Sequence, residues 1–135
     1  MATTSVEVVS PARVLYTGEA EMVVCRTDGG EIAFLANHIP YLGALDPCVT
    51  RLIAEDGSET RLAVSGGFVE VRDNRVIVLA DRAELGSDVD VEAARAEVRE
   101  AQGRLSGASG DDVAVAELDV RRAEVRLEAA GANAD

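Results

Sequence analysis

Apolar and polar residues alternate from Ser5 to Val9, and from there to about Leu85 apolar residues recur in short bursts closed by Gly, Pro, Asn or Asp. Beyond Asp90 the interval lengthens. Val91, Ala94, Val98, Ala101 and Leu105 are spaced by threes and fours, and after a polar break Val113, Ala116, Val120, Ala123, Leu127 and Ala130 repeat the pattern. A period of two places alternate side chains on one face of a strand, whereas the longer interval draws a stripe along a helix. The chain therefore reads as α+β by segment: a β module followed by two helices of matched length.

Turn residues divide the first part into strands. Ser10-Pro11 stops the first. Arg13 to Arg26 reads as two strands hinged at Thr17-Gly18, and Asp28-Gly29-Gly30 is a tight turn. Further strands are expected over Glu31–Ala36, Tyr41–Leu45, Cys48–Ala54, Glu59–Ser65, Phe68–Arg72 and Arg75–Leu79. Eight to ten short strands with regular turns indicate an all-β sandwich or flattened barrel over residues 1–86.

Residues 87–135 are expected to form an antiparallel two-helix hairpin. Ser87-Asp88-Val89-Asp90 has the spacing of a capping box, and helix one should run to about Gly103 or Leu105. Ser106 to Gly110 is the connecting loop, Ser109 or Asp111 caps helix two, and Gly131 ends it. The seam between the helices is mostly Ala and Val. Burial contributes about 0.8 kcal/mol per methylene, so each contact gives little, and the hairpin is expected to be movable.

Composition narrows the function classes. The 135 residues suit one compact domain with an appendage, and the 47% apolar fraction suffices for a core. Met1 to Ser5 lacks the basic and apolar regions of a signal peptide, so the chain is expected to stay on the cytoplasmic side. The net charge of −12 argues against nucleic acid and against direct insertion into or binding of an anionic membrane. All 13 cations are Arg, which excludes a Walker-type phosphate loop and a Schiff-base lysine.

Candidate chemistry is sparse. Cys25 and Cys48 have only His38 to join them, too few ligands for a metal, and read as buried small hydrophobes. Val64-Ser65-Gly66-Gly67 is not a nucleophile elbow, because Ala63 occupies the first glycine position. It reads as a turn between strands. His38, beside Pro40, reads as a loop-ordering residue rather than a general base. Arg121, Arg122 and Arg126 form a cationic strip on helix two, either paired at i,i+4 with Glu117, Glu124 and Glu128 or facing an acidic partner or a phosphate.

Two segments together carry a resemblance. Gly30 to Leu42 (GEIAFLANHIPYL) is similar to the GEIGILPGHAPL signature of the epsilon subunit of F-type ATP synthases. Ser65 to Val71 (SGGFVEV) and Asn74 to Asp81 (NRVIVLAD) resemble the end of that family's sandwich, and Val6 to Pro11 and Gly18 to Ala20 also fit. The sequence departs from the pattern at Ala33, Ala36 and Asn37, where the family usually has Gly, Pro and Gly.

The resemblance implies a non-catalytic subunit on the central rotor stalk, at the cytoplasmic face of a bacterial membrane. Its sandwich would bind the gamma subunit and the rotor ring of c subunits, coupling proton flow to ATP synthesis. Its hairpin would extend into the alpha/beta catalytic head and restrain hydrolysis. Glu31, Phe34, His38, Pro40 and Leu42 would face the ring or gamma, and Arg121, Arg122 and Arg126 the head. No cofactor is required. Some members bind regulatory ATP through [Ile/Leu]-Asp-x-x-Arg-Ala, aligned here with Val91 to Ala96, where both leading residues differ. The aligned stretch supplies Glu92 and Arg95, and the cationic strip Arg122 and Arg126, as the candidate ATP residues, while the full match at Leu118 to Ala123 falls in helix two. The alternative, from another class, is an acidic-tipped coiled-coil factor acting in a polymerase channel, with Asp111 and Asp112 holding magnesium.

Overall fold

The computed structural model describes residues 2–132. Ten strands precede two helices: β1 (Thr4–Val9), β2 (Val14–Ala20), β3 (Met22–Thr27), β4 (Gly30–Leu35), β5 (Tyr41–Leu45), β6 (Cys48–Ile53), β7 (Glu59–Val64), β8 (Gly67–Arg72), β9 (Arg75–Ala80), β10 (Ala83–Leu85), α1 (Val91–Ser106) and α2 (Asp112–Ala130). The strands follow the order β10-β7-β6-β3-β5-β8-β9-β1-β2, with β4 attached to β3 outside that path. Only β1 and β9 pair in parallel; the other pairs are antiparallel. The sandwich and helical hairpin expected from the periodicity are both present.

Alternation decides what is buried. Val6 and Val8, Val69 and Val71, and Val76 and Val78 point into one core with Val23, Phe34, Leu62 and Val64. Each fully buried Val, Leu or Phe contributes about 1.5–3 kcal/mol relative to exposure. The Ser65-Gly66-Gly67 turn feeds this core, and glycine is needed there. Gly66 and Gly67 have φ of 136° and 126°, and a Cβ on Gly67 would lie 2.1 Å from the Leu79 carbonyl oxygen.

Local differences from the sequence expectation have identifiable causes. The hinge between β2 and β3 lies at Glu21, whose amide bonds the Ile53 carbonyl at 2.8 Å, and not at Thr17-Gly18. Gly18 stays within the strand because the Tyr16 ring lies over it, with its hydroxyl 3.0 Å from where a Cβ would sit. β10 was not anticipated; three residues are too few to display a period. Asp90, rather than Ser87, caps α1 by accepting from the Ala93 amide at 3.0 Å, while Gly86–Asp88 form a single 3₁₀ turn. Asp111 precedes α2 without a side-chain cap, and Gly131, at φ 76°, ends it as expected.

The hairpin seam comprises Ala94 and Val98 against Ala123 and Leu127. Helix α2 has a second buried face that the stripe did not include. Val125 and Ala129 pack on Ala63 of β7, with Val49 of β6 at the edge. The hairpin therefore lies against the sandwich, with α2 between α1 and the sheet.

Candidate functional site

The segment from Gly30 to Leu42 combines β4, a tight turn and the start of β5. Its backbone needs a left-handed residue where the family usually has glycine, and Asn37 supplies it at φ 60°. The Asn37 amide donates to Asn74 Oδ1 at 2.8 Å, and Asn74 Nδ2 donates to the Thr3 carbonyl at 3.0 Å. His38 Nδ1 donates to the Ile39 carbonyl at 2.7 Å, and its ring stands edge-on to Phe34 at 4.9 Å. It thus orders the loop.

Of the five residues assigned there to partner contact, four reach the surface to some degree and one does not. Glu31, Pro40 and Leu42 are exposed and His38 is half-buried. Phe34 is 0% exposed, because its position in β4 points inward, where it packs against Tyr41 and His38. It supports the surface from beneath and has no exposed area to offer a partner. Ile39, the most exposed large apolar group of the segment at 75%, and Leu35 at 52% were not among the candidates, whereas Leu42 at 69% was.

A second surface was not recognised from sequence. Register pairs Ala44 with Phe68, Phe68 with Leu79, Leu79 with Val9, and Val9 with Val14. Paired residues point to the same side of a sheet, so these five make one apolar row across β5, β8, β9, β1 and β2. Phe68, Leu79 and Val14 are 54%, 50% and 57% exposed, and Leu42 adjoins the row at 69%. Large apolar groups gathered on one outer face mark an interaction surface. The signal lay in the cross-strand register, which single-strand periodicity does not give.

Two of the three arginines of the α2 strip, Arg122 and Arg126, turn toward the rest of the molecule. Arg126 bonds Glu84 of β10 and Glu97 of α1, tying sandwich, α1 and α2 at one guanidinium. The bond to Glu84 raises the pKa of Arg126 beyond its ordinary value, against an opposing desolvation effect. Arg122 Nε donates to the Ser65 carbonyl at 3.3 Å and its Nη1 lies 3.7 Å from Asp119. Arg121 pairs with Glu128 at 2.9 Å, seven residues away. These bonds, not the i,i+4 pairs considered from sequence, engage the strip. Asp119 also reaches Arg104 of α1 at 3.7 Å, so the Leu118 to Ala123 motif match serves the hairpin itself.

A cleft of about 730 Å³ lies between the hairpin and β7, β10 and the Asp81-Arg82 turn that precedes β10. Arg122 and Arg126 line it, together with Arg13, Arg82 and Arg104, but Asp81, Glu84, Glu97, Glu100 and Asp119 oppose these five cations with five carboxylates. Glu92 and Arg95 are not on its wall; they form an ion pair of 2.6 Å on the first turn of α1. The four candidate ATP residues are thus divided between two places.

Cys25 and Cys48 are buried thiols, and no group of three metal-ligating residues occurs among the described residues. Burial, with a smaller effect from Cys48, pushes the Cys25 thiol up to about 12. No helix among the described residues is long and apolar enough to cross a membrane.

A strand platform with an outward apolar face, carrying a helical hairpin docked through arginines, defines a two-part module of sandwich and helical hairpin. The family model described as ATP synthase, Delta/Epsilon chain, beta-sandwich domain, matches residues 3–86, and that for the long alpha-helix domain of the same chain matches residues 87–131. The chain belongs to this family as an epsilon subunit of the F-type ATP synthase central stalk, a non-catalytic part of that complex. It is 46% identical over 106 residues to the ATP synthase epsilon chain of Brevibacillus brevis, covering 78% of this chain and 80% of the relative. The epsilon chain of Alkalihalophilus pseudofirmus is 45% identical over 113 residues, covering 84% of each. The fold is shared with a chain of the Euglena gracilis mitochondrial ATP synthase OSCP/F1/c-ring structure, with TM-score 0.81, 23% identity, and coverage of 96% of this chain and 82% of that one. A chain of the Tetrahymena thermophila mitochondrial ATP synthase central stalk/c-ring aligns with TM-score 0.61 at 15% identity, covering 96% of each. Family membership leaves the polymerase-channel alternative without support.

Proposed function

We propose that the sandwich grips the gamma subunit through the apolar row of Ala44, Phe68, Leu79, Val9 and Val14, while the Leu35–Leu42 edge meets the rotor ring of c subunits. The observation that carries this reading is the alignment of exposed apolar residues across five strands on one face. A stalk-bound platform must transmit torque, and a broad apolar contact on a rigid sheet suits that better than a few charges on loops. Glu31, His38, Pro40 and Leu42 sit at the adjoining end, with Ile39 as the most exposed apolar group.

The hairpin is the regulatory part. In the arrangement described above it is folded down, with Arg122 and Arg126 occupied by the sandwich and by α1. Extension toward the alpha/beta catalytic head would release those two guanidinium groups and carry Arg121, paired within α2 itself, to the same acidic surface, restraining ATP hydrolysis. Two packings separated by a few kcal/mol suffice for such a switch. Regulatory ATP would meet Arg122 and Arg126 in the cleft, where five carboxylates balance the five arginines, with the Glu92–Arg95 pair off its wall. The chain would work at the face of the membrane that carries the catalytic head, held there through gamma and the ring.

The test is binding to purified gamma. Replacing Phe68 and Leu79 by Thr, a neutral residue suited to strands, should weaken the complex by about 3 kcal/mol, since each apolar anchor desolvated at an interface carries about 1–2 kcal/mol. Circular dichroism should show an unchanged fold, because both side chains are exposed. Unaltered affinity would remove this face from the contact.

A further inference from the structure

Helix α2 is attached to the sandwich unevenly along its length. The hydrogen bonds and buried apolar contacts that join it to the sandwich come from residues 122–129: Arg122 to the Ser65 carbonyl, Arg126 to Glu84, and Val125 and Ala129 on Ala63. Its first half faces Arg26, Asp46 and Pro47 across an open cleft of about 450 Å³ lined by Ala114, Glu117, Leu118 and Arg121. Val115 and Leu118 are exposed on that half, at 62% and 39%.

At the attached end two features converge. The last carbonyls of a helix lack intrahelical partners, and that of Glu128 accepts a bond from Arg61 Nη2 of β7 at 2.7 Å. A guanidinium at a helix C-terminus is also favoured by the helix dipole. Beside it, the Ala129 carbonyl lies so close to the connector that a Cβ on Gly86 would stand 2.2 Å from its oxygen and 2.8 Å from its carbon. Backbone fills that space, and it yields only by moving the last turn of α2 or the connector itself.

We propose that Gly86 and Arg61 form a clamp on the last turn of α2, which sets the folded-down position of the hairpin and makes it open from the tip. This rests on the reading of the hairpin as the movable part of the subunit and adds where it is held. Undocking then has two stages. The half from Asp112 to Arg121 separates first, and the clamped turn near the connector separates last. The chain connectivity suits this order, because the clamp adjoins the 3₁₀ turn that leads into α1 and so doubles as the pivot.

The experiment is amide hydrogen exchange on the full chain, comparing the native protein with Gly86→Ala, Arg61→Gln and Gly103→Ala. In the native protein amides of residues 116–121 should exchange faster than those of 123–130. Gly86→Ala should speed exchange at 123–130 by about tenfold or more, as overpacking against backbone does. Arg61→Gln should speed it by about fivefold through loss of a charge-assisted bond. Both should leave β8 and β9 as protected as before. Gly103 has open space around it, so Gly103→Ala should not speed exchange at 123–130. Unchanged exchange at 123–130 in both clamp variants would overturn the proposal, as would equal acceleration of helix and strands in Arg61→Gln. Should Gly86→Ala unfold the whole chain, Arg61→Gln decides alone. The isolated chain needs neither gamma nor the catalytic head, so failure of the clamp and failure of the stalk reading are separate results.

Discussion

Gly67 is the position where a single methyl group should do most harm. Its φ of 126° disfavours any other residue, and the added Cβ would press on the Leu79 carbonyl at 2.1 Å. Gly67→Ala should cost about 3 kcal/mol or more, read as a lowered urea midpoint. Cys25 gives a pH signature. Its thiol titrates at about 12 when folded against 9.0 in the unfolded chain, so folded and unfolded states bind protons equally below pH 9. Above that the unfolded chain loses its proton first, and stability falls by up to about 1.4 kcal/mol per pH unit toward pH 12. Denaturant titrations at pH 8, 9 and 10 should show this loss in the native protein and a smaller one in Cys25→Val. Phe34 shows how motif reading and face reading diverge. The resemblance selected it with its neighbours, yet alternation puts Glu31, Ala33 and Leu35 on one face and Ile32 and Phe34 on the other. The inward position was legible in the period; the motif alone concealed it.

At the scale of elements, α2 is the informative case. Its seam residues Ala123 and Leu127 were legible as a stripe, but Val125 and Ala129 lie outside it and bury against Ala63. A helix between another helix and a sheet needs two apolar faces, and a search for one stripe registers only the first. Nor can periodicity foresee that Arg126 would bridge Glu84 and Glu97, which are 42 and 29 residues away in sequence. Arg126→Met should weaken docking by about 1–2 kcal/mol, because it leaves two partly exposed carboxylates without their shared cation. Hydrogen exchange in α2 should accelerate while the strands keep their protection, and added salt should narrow the difference from the native protein. The boundary between modules was legible from the change of period; the switch from Ser87 to Asp90 as cap was not, because both satisfy the same local chemistry.

At the scale of the whole molecule, the strand module and the hairpin differ in how they are held. The sandwich shares one core of large side chains drawn from strands distant in sequence. The hairpin rests on small ones, Ala63, Ala129 and Val125, and on a few polar bonds. Burying small groups contributes little per residue, so in the proposed switch the hairpin would leave the platform without unfolding it. The platform's apolar row would remain available to the stalk in either position. The most direct measurement is to assemble the rotary complex with a chain lacking residues 89–135. The account predicts that the shortened subunit still co-assembles with gamma and the ring, and that ATP hydrolysis is unchanged or raised. Loss of assembly on that truncation would contradict it.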